Sequence, residues 1–202
     1  ASDVYKRQET DLAIRFLDQH VDDHPDDPFA LFVSWRPPHW PYPQYPEQYG
    51  IYDPATVDLP GNVPEQMADF ARREIADYYG CCTGLDAQMG RLLDALDRLG
   101  VAEDTIVCYT SDHGDHLSSH GYGKPNDSWL HHSMRASKST PYEESAHVAF
   151  VIRWPGHISP GTRSNAFMGA IDLVPSLLGA CGVSQPEGLQ GRDVSSLSLI
   201  HI

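Results

Sequence analysis

The stretch of residues 105–156 decides the predicted fold, and its sequence is TIVCYTSDHGDHLSSHGYGKPNDSWLHHSMRASKSTPYEESAHVAFVIRWPG. It begins with a continuous apolar run, Thr105–Thr110, of the kind that forms a buried strand. A second apolar run extends from Val148 to Gly156. The sequence between the two runs is polar and rich in His, which predicts a long loop between two strands.

Charged side chains stand where the first predicted strand ends. Asp112 and His113 follow it directly, and Lys138 lies on the predicted loop before the second strand. Open α/β sheets bind their ligands outside the carboxyl ends of their strands. An acid, an imidazole and a cation near this edge predict a metal-assisted site for an anionic substrate.

Composition and charge narrow the class of protein. The 202 residues are 41% apolar and 21% charged, as in an ordinary globular domain. The formal net charge of −14 and the lack of any Lys/Arg-rich run argue against nucleic acid as a partner, because binding phosphates requires clustered cations. No apolar stretch approaches the roughly 20 residues of a membrane span. An anionic substrate must therefore be met by a few placed cations and a metal.

The sequence before residue 105 predicts a βαβ crossover. Phe29–Trp35 is a short apolar run typical of a buried parallel strand, and residues 36–64 form a long loop with eight prolines. Two helical segments follow, and the second ends at Gly100, a typical C-terminal stop. The apolar face of this second segment has i, i+4, i+7, i+8 spacing. Its members are Leu85, Met89, Leu92, Leu93, Leu96 and Leu99.

Two further helices are predicted outside this crossover. One spans about Asp11–His20, and the other spans Ile171–Cys181, where Pro175 is tolerable only in the first turn. The order of elements predicts an α/β fold with a largely parallel central sheet and helices on both faces. Both ends of the chain are expected to be cut edges of a longer protein, with the opening strands missing.

Several segments, taken in order, resemble the sulfatase family. The resemblance covers about Phe29 to Asp193, and it rests on the order and spacing of the segments together. The segments are Phe32–Tyr42, Tyr78–Leu93, Asp112–Asp115, His120–Gly121, Lys138–Ser145, Arg153–Gly156 and Met168–Gly191. The resemblance implies one partial sulfatase catalytic domain over residues 1–202, truncated at both ends, without its C-terminal subdomain.

The resemblance also implies a chemistry. Sulfatases of this kind belong to the alkaline phosphatase superfamily, so an alkaline-phosphatase-like fold and sulfuric ester hydrolysis are expected. In that family a formylglycine, made from the Cys or Ser of a Cys/Ser-x-Pro-Ser-Arg motif, attacks the sulfate ester. A divalent cation, usually calcium, and Lys and His side chains meet the negative charge of the sulfate and the leaving group.

Matched by position, the resemblance implies roles for five residues. Asp112 and His113 are the expected metal ligands, and His113 is the weaker of the two because a hard cation prefers oxygen. Lys138 and His39 are the expected catalytic and sulfate-binding side chains. Lys124 competes with Lys138 as the substrate-binding lysine and is less favoured.

Other polar residues of the stretch allow a different interpretation. His113, His116 and His120 invite a zinc site, but the chain offers neither Cys nor four-ligand spacing around them, so a structural zinc is disfavoured. His116 and His120 are instead expected to shape the pocket or face solvent. Glu143 and Glu144 are predicted to point apart, with a structural role in bonding to loop backbone.

No Cys/Ser-x-Pro-Ser-Arg motif occurs in the chain, so the nucleophile is expected outside it and the isolated chain is predicted to be inactive. The expected substrate is a small sulfated organic or sugar molecule. Two alternatives stay open: a phosphodiester or phosphonate hydrolase of the same superfamily, and a non-catalytic metal- or partner-binding domain. The sequence leaves the compartment undecided between periplasm, secretion and cytoplasm.

Overall fold

The computed structural model describes residues 2–42, 45–122, 134 and 136–196, with side chains from Arg7 onward. These residues form helices α1 (Ser2–Asp23), α2 (Ala68–Leu99), α3 (Glu143–Ala146) and α4 (Leu173–Ala180), and strands β1 (Val107–Thr110) and β2 (Phe150–Arg153). The chain divides into two compact units. The larger unit contains Ala1–Ala102 and His113–Val148, and the smaller unit contains Glu103–Asp112 and Ala149–Ile202.

Helix α2 is the longest element of the larger unit, and it joins the two helical segments that the sequence predicted separately. Gly80 lies at the junction, where a Cβ atom would come within 2.6 Å of the Tyr45 ring, so the missing side chain lets the Pro-rich loop lie against the helix. Tyr45 is held there because its hydroxyl donates to Oδ1 of Asp77 at 2.7 Å. The predicted stop is confirmed, since Gly100 has φ +74° and caps the last turn.

Helix α1 packs against α2 and is longer than the predicted Asp11–His20 segment. Its buried positions include Ala13 and Leu17, whose exposed fractions are 5% and 2%. Two partly exposed ion pairs, Asp11–Arg91 and Asp18–Arg98, also join the helices. Exposed pairs of this kind contribute about 1 kcal/mol or less each, so apolar burial accounts for most of the contact.

The prediction of a buried strand over Phe29–Trp35 is wrong, and with it the predicted βαβ crossover. This segment has no regular secondary structure, and the Phe32 side chain is 84% exposed. An apolar run becomes a strand only when a neighbouring strand satisfies its N–H and C=O groups. No strand pairs with the segment within the part of the chain that the structure describes.

The two strands predicted from residues 105–156 are confirmed in the smaller unit. Strands β1 and β2 pair antiparallel, with Val107 opposite Arg153 and Thr110 opposite Phe150. They form the only sheet in residues 2–42, 45–122 and 136–196, so the predicted largely parallel central sheet stays a prediction. Helix α4 is also confirmed, with Pro175 in its first turn as the sequence required.

The buried carboxylate of Asp172 organises the entry to α4. Its Oδ2 accepts the N–H of Gly169 at 3.0 Å, and its Oδ1 accepts the N–H of Arg192 at 2.7 Å. These two backbone bonds hold the pKa of Asp172 below its usual range. The carboxylate thus ties the segment after α4 to the turn before it.

We predict that Asp172 makes the smaller unit sensitive to acid. Its folded pKa lies below the unfolded value of about 3.9, so the native state binds fewer protons. The stabilisation is therefore complete above that value and is lost as the pH falls through the folded pKa. Asp172→Asn should lower stability at neutral pH and reduce the loss of stability below about pH 4.

Urea denaturation followed by circular dichroism across this pH range checks the prediction. Glu187→Gln, which removes an exposed carboxylate in the same unit, is the matched control. Equal acid dependence of Asp172→Asn and the wild type would contradict the assignment.

No helix among the residues that the structure describes is both long and apolar enough to cross a lipid bilayer.

Candidate functional site

Tyr42 lies at the centre of the polar cluster in the larger unit, and its side chain is completely buried. Its hydroxyl donates to Oδ2 of Asp115 at 2.7 Å and accepts the N–H of Ala136 at 3.2 Å. The Cys81 thiol of α2 donates to the Tyr42 carbonyl. Burial, and then the charge of Asp115, raise the pKa of Tyr42, so the phenol stays protonated and acts as a donor. Tyr42 therefore joins the Pro-rich loop, α2 and the loop that follows His113.

Asp115 is the acceptor at this junction. Its Oδ1 also accepts the N–H of Leu117 at 3.0 Å. Burial raises the pKa of Asp115 above its usual range, and the donors together with the nearby positive charge of Lys138 oppose that shift. Lys138 is half-buried, and its positive charge acts on the Asp115 carboxylate.

Gly114 lets two segments of the cluster approach each other closely. Its N–H donates to the Ser145 carbonyl at 2.9 Å. A Cβ atom at this position would overlap the carbonyl oxygen of Glu144. Only Gly permits this approach, and the contact brings the Glu144 side chain to the His-rich loop.

His116, His120 and Glu144 form a compact group of potential metal ligands. One ligand atom from each lies within 4.8 Å of the other two. His116 is buried, with 1% of its surface exposed, whereas His120 and Glu144 are half-buried. Nε2 of His120 lies 3.3 Å from Oε2 of Glu144.

The polar and aromatic surroundings of the group fix its geometry. Nε2 of His116 contacts the Thr140 hydroxyl at 2.8 Å, and the amide of Asn62 donates to Oε1 of Glu144 at 2.5 Å. The His120 ring stacks on Tyr142 with 4.1 Å between ring centroids. Burial lowers the pKa of His116 and favours the neutral imidazole. For Glu144, burial alone would raise the pKa, but a bond from its own backbone N–H, the bond from Asn62 and the charge of His120 hold it below its usual range.

The backbone between the two histidines is strained. Leu117, Ser118 and His120 have φ values of 46°, 73° and 62°, in the left-handed region that non-glycine residues rarely adopt. Such residues cost about 1–3 kcal/mol each and concentrate at functional sites. The surrounding contacts therefore maintain a loop conformation that the local sequence does not favour.

An open cleft of about 330 Å³ in the larger unit reaches this group. His116, Glu144 and Asp115 are among its lining residues, which confirms that His116 shapes a pocket. The opposite wall includes Ile75 and Tyr79 of α2. The cleft gives a small solute or ion access to the cluster.

The expected site residues are divided between the two units. His39, His113 and Lys138 belong to the larger unit, whereas Asp112 belongs to the smaller unit. Lys124 lies outside the described residues. His39 is exposed, and its Nδ1 lies 2.7 Å from the Trp40 carbonyl.

His113 has the tautomer of a metal ligand. Its Nδ1 lies 2.8 Å from the Gly114 carbonyl, and because a carbonyl only accepts, Nδ1 carries the proton. In the neutral ring the lone pair is then on Nε2. A backbone carbonyl that accepts from the second ring nitrogen is the usual support of a ligating imidazole.

The sequence interpretation missed two parts of the cluster. It gave no role to Tyr42 or Asp115, which contact each other across 73 positions of sequence. It predicted that Glu144 bonds to loop backbone, which the carboxylate does, but it did not indicate the contacts of Glu144 with the side chains of Asn62 and His120. Glu143 and Glu144 do have different partners, since Glu143 pairs with His147 in solvent. The sequence feature that could have pointed to this cluster was the i, i+4 spacing of His116 and His120.

Among the residues that the structure describes, no group of side chains supplies the full ligand set that calcium requires. Calcium takes six to eight oxygen ligands, and Asp112 supplies a suitable carboxylate. Within the described residues, the one group of three potential ligands is His116, His120 and Glu144, which offers two nitrogens and one carboxylate. This donor set does not fit calcium.

We predict that Tyr42→Phe destabilises the protein by about 1–3 kcal/mol, because the change leaves a buried carboxylate and a buried N–H without the hydroxyl. Tyr52→Phe is the matched control, since the Tyr52 hydroxyl makes an exposed bond to Thr83 and its loss should cost about 0.5 kcal/mol or less. Urea denaturation gives both free energies of unfolding. Equal values for the two variants would refute a central role for Tyr42.

We predict opposite effects for two glycine substitutions. Gly114→Ala should destabilise the larger unit, because its Cβ would displace the Glu144 backbone. Gly90→Ala should stabilise by about 0.5–1 kcal/mol, because Gly90 lies inside α2 and a Cβ atom there would meet no other atom within 4 Å. Thermal unfolding distinguishes the two signs. A neutral Gly114→Ala variant would show that the close approach is not required.

Comparisons with known proteins show which family the chain resembles. The profile of the Sulfatase family matches residues 2–183. An ulvan-active sulfatase of Formosa agariphila is 34% identical over 184 residues, which cover 90% of this chain and 34% of the relative. The chain spans about a third of the length of the curated relatives it matches.

Two solved structures are similar along nearly the whole chain. One, from Bacteroides fragilis and classed as a sulfatase, has a TM-score of 0.81 and 32% identity, and the match covers 96% of this chain and 41% of that one. The other, a phosphonate monoester hydrolase of Silicibacter pomeroyi, has a TM-score of 0.71 and 25% identity over 94% of this chain and 42% of that one. These similarities confirm the expected α/β fold of the alkaline-phosphatase-like type. The chain belongs to the sulfatase family.

Proposed function

We propose that this chain forms part of a sulfatase catalytic domain and binds the sulfate group of a sulfate ester during hydrolysis. The observation that best supports the proposal is the half-buried Lys138, whose positive charge acts on Asp115 of the polar cluster in a sulfatase-family chain. A cation in such a position interacts with an anion more strongly than an exposed lysine does, because less water screens it. In a protein of net charge −14, an anion needs such a local site.

Asp112 and His113 are the proposed metal ligands in this chain. A bound divalent cation would neutralise charge on the sulfate oxygens, and further oxygen ligands would come from outside the described residues. The Nδ1–H of His113 is bonded to the Gly114 carbonyl, so in the neutral ring the lone pair is on Nε2, the nitrogen proposed as the ligand atom. Calcium is the proposed ion at Asp112 because a carboxylate is a hard oxygen ligand.

Lys138 and His39 are the proposed catalytic and substrate-binding side chains. Lys138 would neutralise a sulfate oxygen, and Lys124 is the less favoured candidate for the same role. His39 donates its Nδ1–H to the Trp40 carbonyl, so only the protonated ring carries a second proton, on Nε2. His39 would therefore donate to a sulfate oxygen or to the leaving group as an imidazolium.

The proposal includes the architecture around these residues. Residues 1–202 are proposed to be one partial catalytic domain whose central sheet is largely parallel, with helices on both faces. The proposed nucleophile is a formylglycine outside this chain, since the chain contains no Cys/Ser-x-Pro-Ser-Arg motif. The isolated chain is accordingly proposed to be inactive.

A sulfated carbohydrate or small organic molecule is the proposed substrate class. The support is the relative whose name describes it as ulvan-active. A phosphonate or phosphodiester hydrolase is the second candidate, because a phosphonate monoester hydrolase has a similar structure at 25% identity. A non-catalytic binding domain is the third.

Hydrolysis by the protein encoded by the full coding sequence tests the proposal. That protein should hydrolyse p-nitrophenyl sulfate faster than a p-nitrophenyl phosphonate monoester, and the purified 202-residue chain should hydrolyse neither. Faster phosphonate hydrolysis would favour the second candidate. Absence of turnover with both compounds and with sulfated sugars would favour the binding domain.

We predict that Lys138→Ala lowers kcat/KM of that protein for the sulfate ester by about 10²–10³-fold, because it removes a cation that stabilises the transition state. Arg163→Ala removes an exposed cation of the smaller unit and is the matched control. Lys124→Ala should have a smaller effect than Lys138→Ala. A larger loss of kcat/KM with Lys124→Ala than with Lys138→Ala would assign the substrate-binding role to Lys124. The assignment of the activity would not change.

A further inference from the structure

We propose that His116, His120 and Glu144 form a binding site for a divalent transition metal of the zinc type, separate from the oxygen-liganded cation proposed at Asp112. Each of the three residues offers one ligand atom within 4.8 Å of the others. All three belong to the larger unit, so the site lies within one compact body. The proposal does not depend on sulfate ester hydrolysis.

The separation of one pair of ligand atoms, on His120 and Glu144, fits a small tetrahedral ion. Imidazole and carboxylate ligands lie about 2.0–2.2 Å from zinc, so two of them on a tetrahedron are about 3.4 Å apart. Nε2 of His120 and Oε2 of Glu144 are 3.3 Å apart. This distance is long for a charge-assisted hydrogen bond, which is about 2.7–2.9 Å. The pair therefore has the spacing of two ligands more than that of a donor and an acceptor.

One ring nitrogen of His116, Nδ1, is buried and makes no hydrogen bond of regular geometry to any of the described residues. The Ser119 backbone nevertheless interacts with the ring and opposes the lowering of its pKa by burial. The other ring nitrogen, Nε2, lies 2.8 Å from the Thr140 hydroxyl. If that hydroxyl accepts the Nε2 proton, the lone pair is on Nδ1, which is the arrangement of a supported metal ligand. A metal ion would satisfy this atom.

The contacts of Glu144 leave one of its two carboxylate oxygens as the ligand atom. The Asn62 amide bonds to Oε1 at 2.5 Å, which leaves Oε2 as the oxygen that faces His120. Stacking on Tyr142 fixes the plane of the His120 ring. Ligands whose orientation is fixed in advance lose little conformational freedom when an ion binds.

The donor set selects the type of metal. Two imidazoles and one carboxylate suit zinc and similar transition ions, whereas calcium and magnesium prefer oxygen alone. His116 and Glu144 line the open cleft of about 330 Å³, which provides an entry path for a hydrated ion. With three protein ligands, the fourth position of a tetrahedral ion remains for water or a solute from the cleft.

Titration of the purified 202-residue chain with Co²⁺, a spectroscopic substitute for Zn²⁺, tests the site. The wild type should give the visible d–d spectrum of a four-coordinate ion bound by nitrogen and oxygen, without a cobalt–thiolate charge-transfer band. Zn²⁺ should abolish this spectrum stoichiometrically, and an excess of Ca²⁺ should not. This measurement requires no variant, so it remains decisive if a substitution prevents folding.

Variants locate the binding. His120→Gln and Glu144→Gln should each weaken Zn²⁺ binding by more than about 100-fold, since even loss of a supporting contact costs about 10–100-fold. Glu143→Gln, on the adjacent exposed carboxylate, and His157→Gln, in the smaller unit, are the matched controls and should bind as the wild type does. Equilibrium dialysis in the presence of a thiol reductant gives the dissociation constants.

Two results would overturn the proposal. One is a wild-type chain that gives no four-coordinate cobalt spectrum. The other is equal Zn²⁺ affinity of the wild type and the folded Glu144→Gln variant, which would assign any bound zinc to other residues.

Discussion

The part-buried hydrogen bond from Tyr42 to Asp115 is the constraint on which the polar loops of the larger unit depend. The bond links the Pro-rich loop to the loop after His113, and the Tyr42 backbone also accepts the Cys81 thiol of α2. In a buried site an unpaired carboxylate or phenol would cost about 1–3 kcal/mol or more, so each group requires the other. Asp115 in turn faces the charge of Lys138, and it precedes His116 in the chain. The Tyr42–Asp115 pair thus supports the packing of the loops, the proposed sulfate-binding cation and the histidine pair.

The electrostatics of the chain explain why its functional cations are few and partly buried. With a net charge of −14, the protein as a whole repels anions, so an anionic substrate must be bound by local groups. Lys138, the cation proposed for that role, is half-buried, and its charge acts on the Asp115 carboxylate. The same acidic character makes cation sites available, and the donor chemistry distinguishes them. Asp112 offers oxygen to a hard ion, whereas His116 and His120 offer nitrogen to a softer one.

The loop from His116 to His120 has a strained backbone and carries two of the proposed metal ligands. Leu117, Ser118 and His120 have left-handed φ values that are unfavourable for side chains with a Cβ. Compensation comes from Asp115, which accepts the Leu117 N–H, and from Tyr142, on which the His120 ring stacks. Gly114 adds the close approach that brings Glu144 to the same place. A metal ion at this group would use an arrangement that the fold already maintains.

The sequence alone determined the features that depend on local patterns and on the order of motifs. The strands at 107–110 and 150–153, the stop at Gly100, the position of Pro175 and the family were all predicted from short segments. The prediction for Phe29–Trp35 was wrong, because an apolar run does not specify whether a neighbouring strand will pair with it. Tertiary structure alone decided which distant residues meet. Asn62 and Glu144 are 82 positions apart, and Tyr42 and Asp115 are 73 apart, so no local periodicity links them. These contacts arise only when the chain folds, because buried polar groups must find partners wherever the fold brings them together.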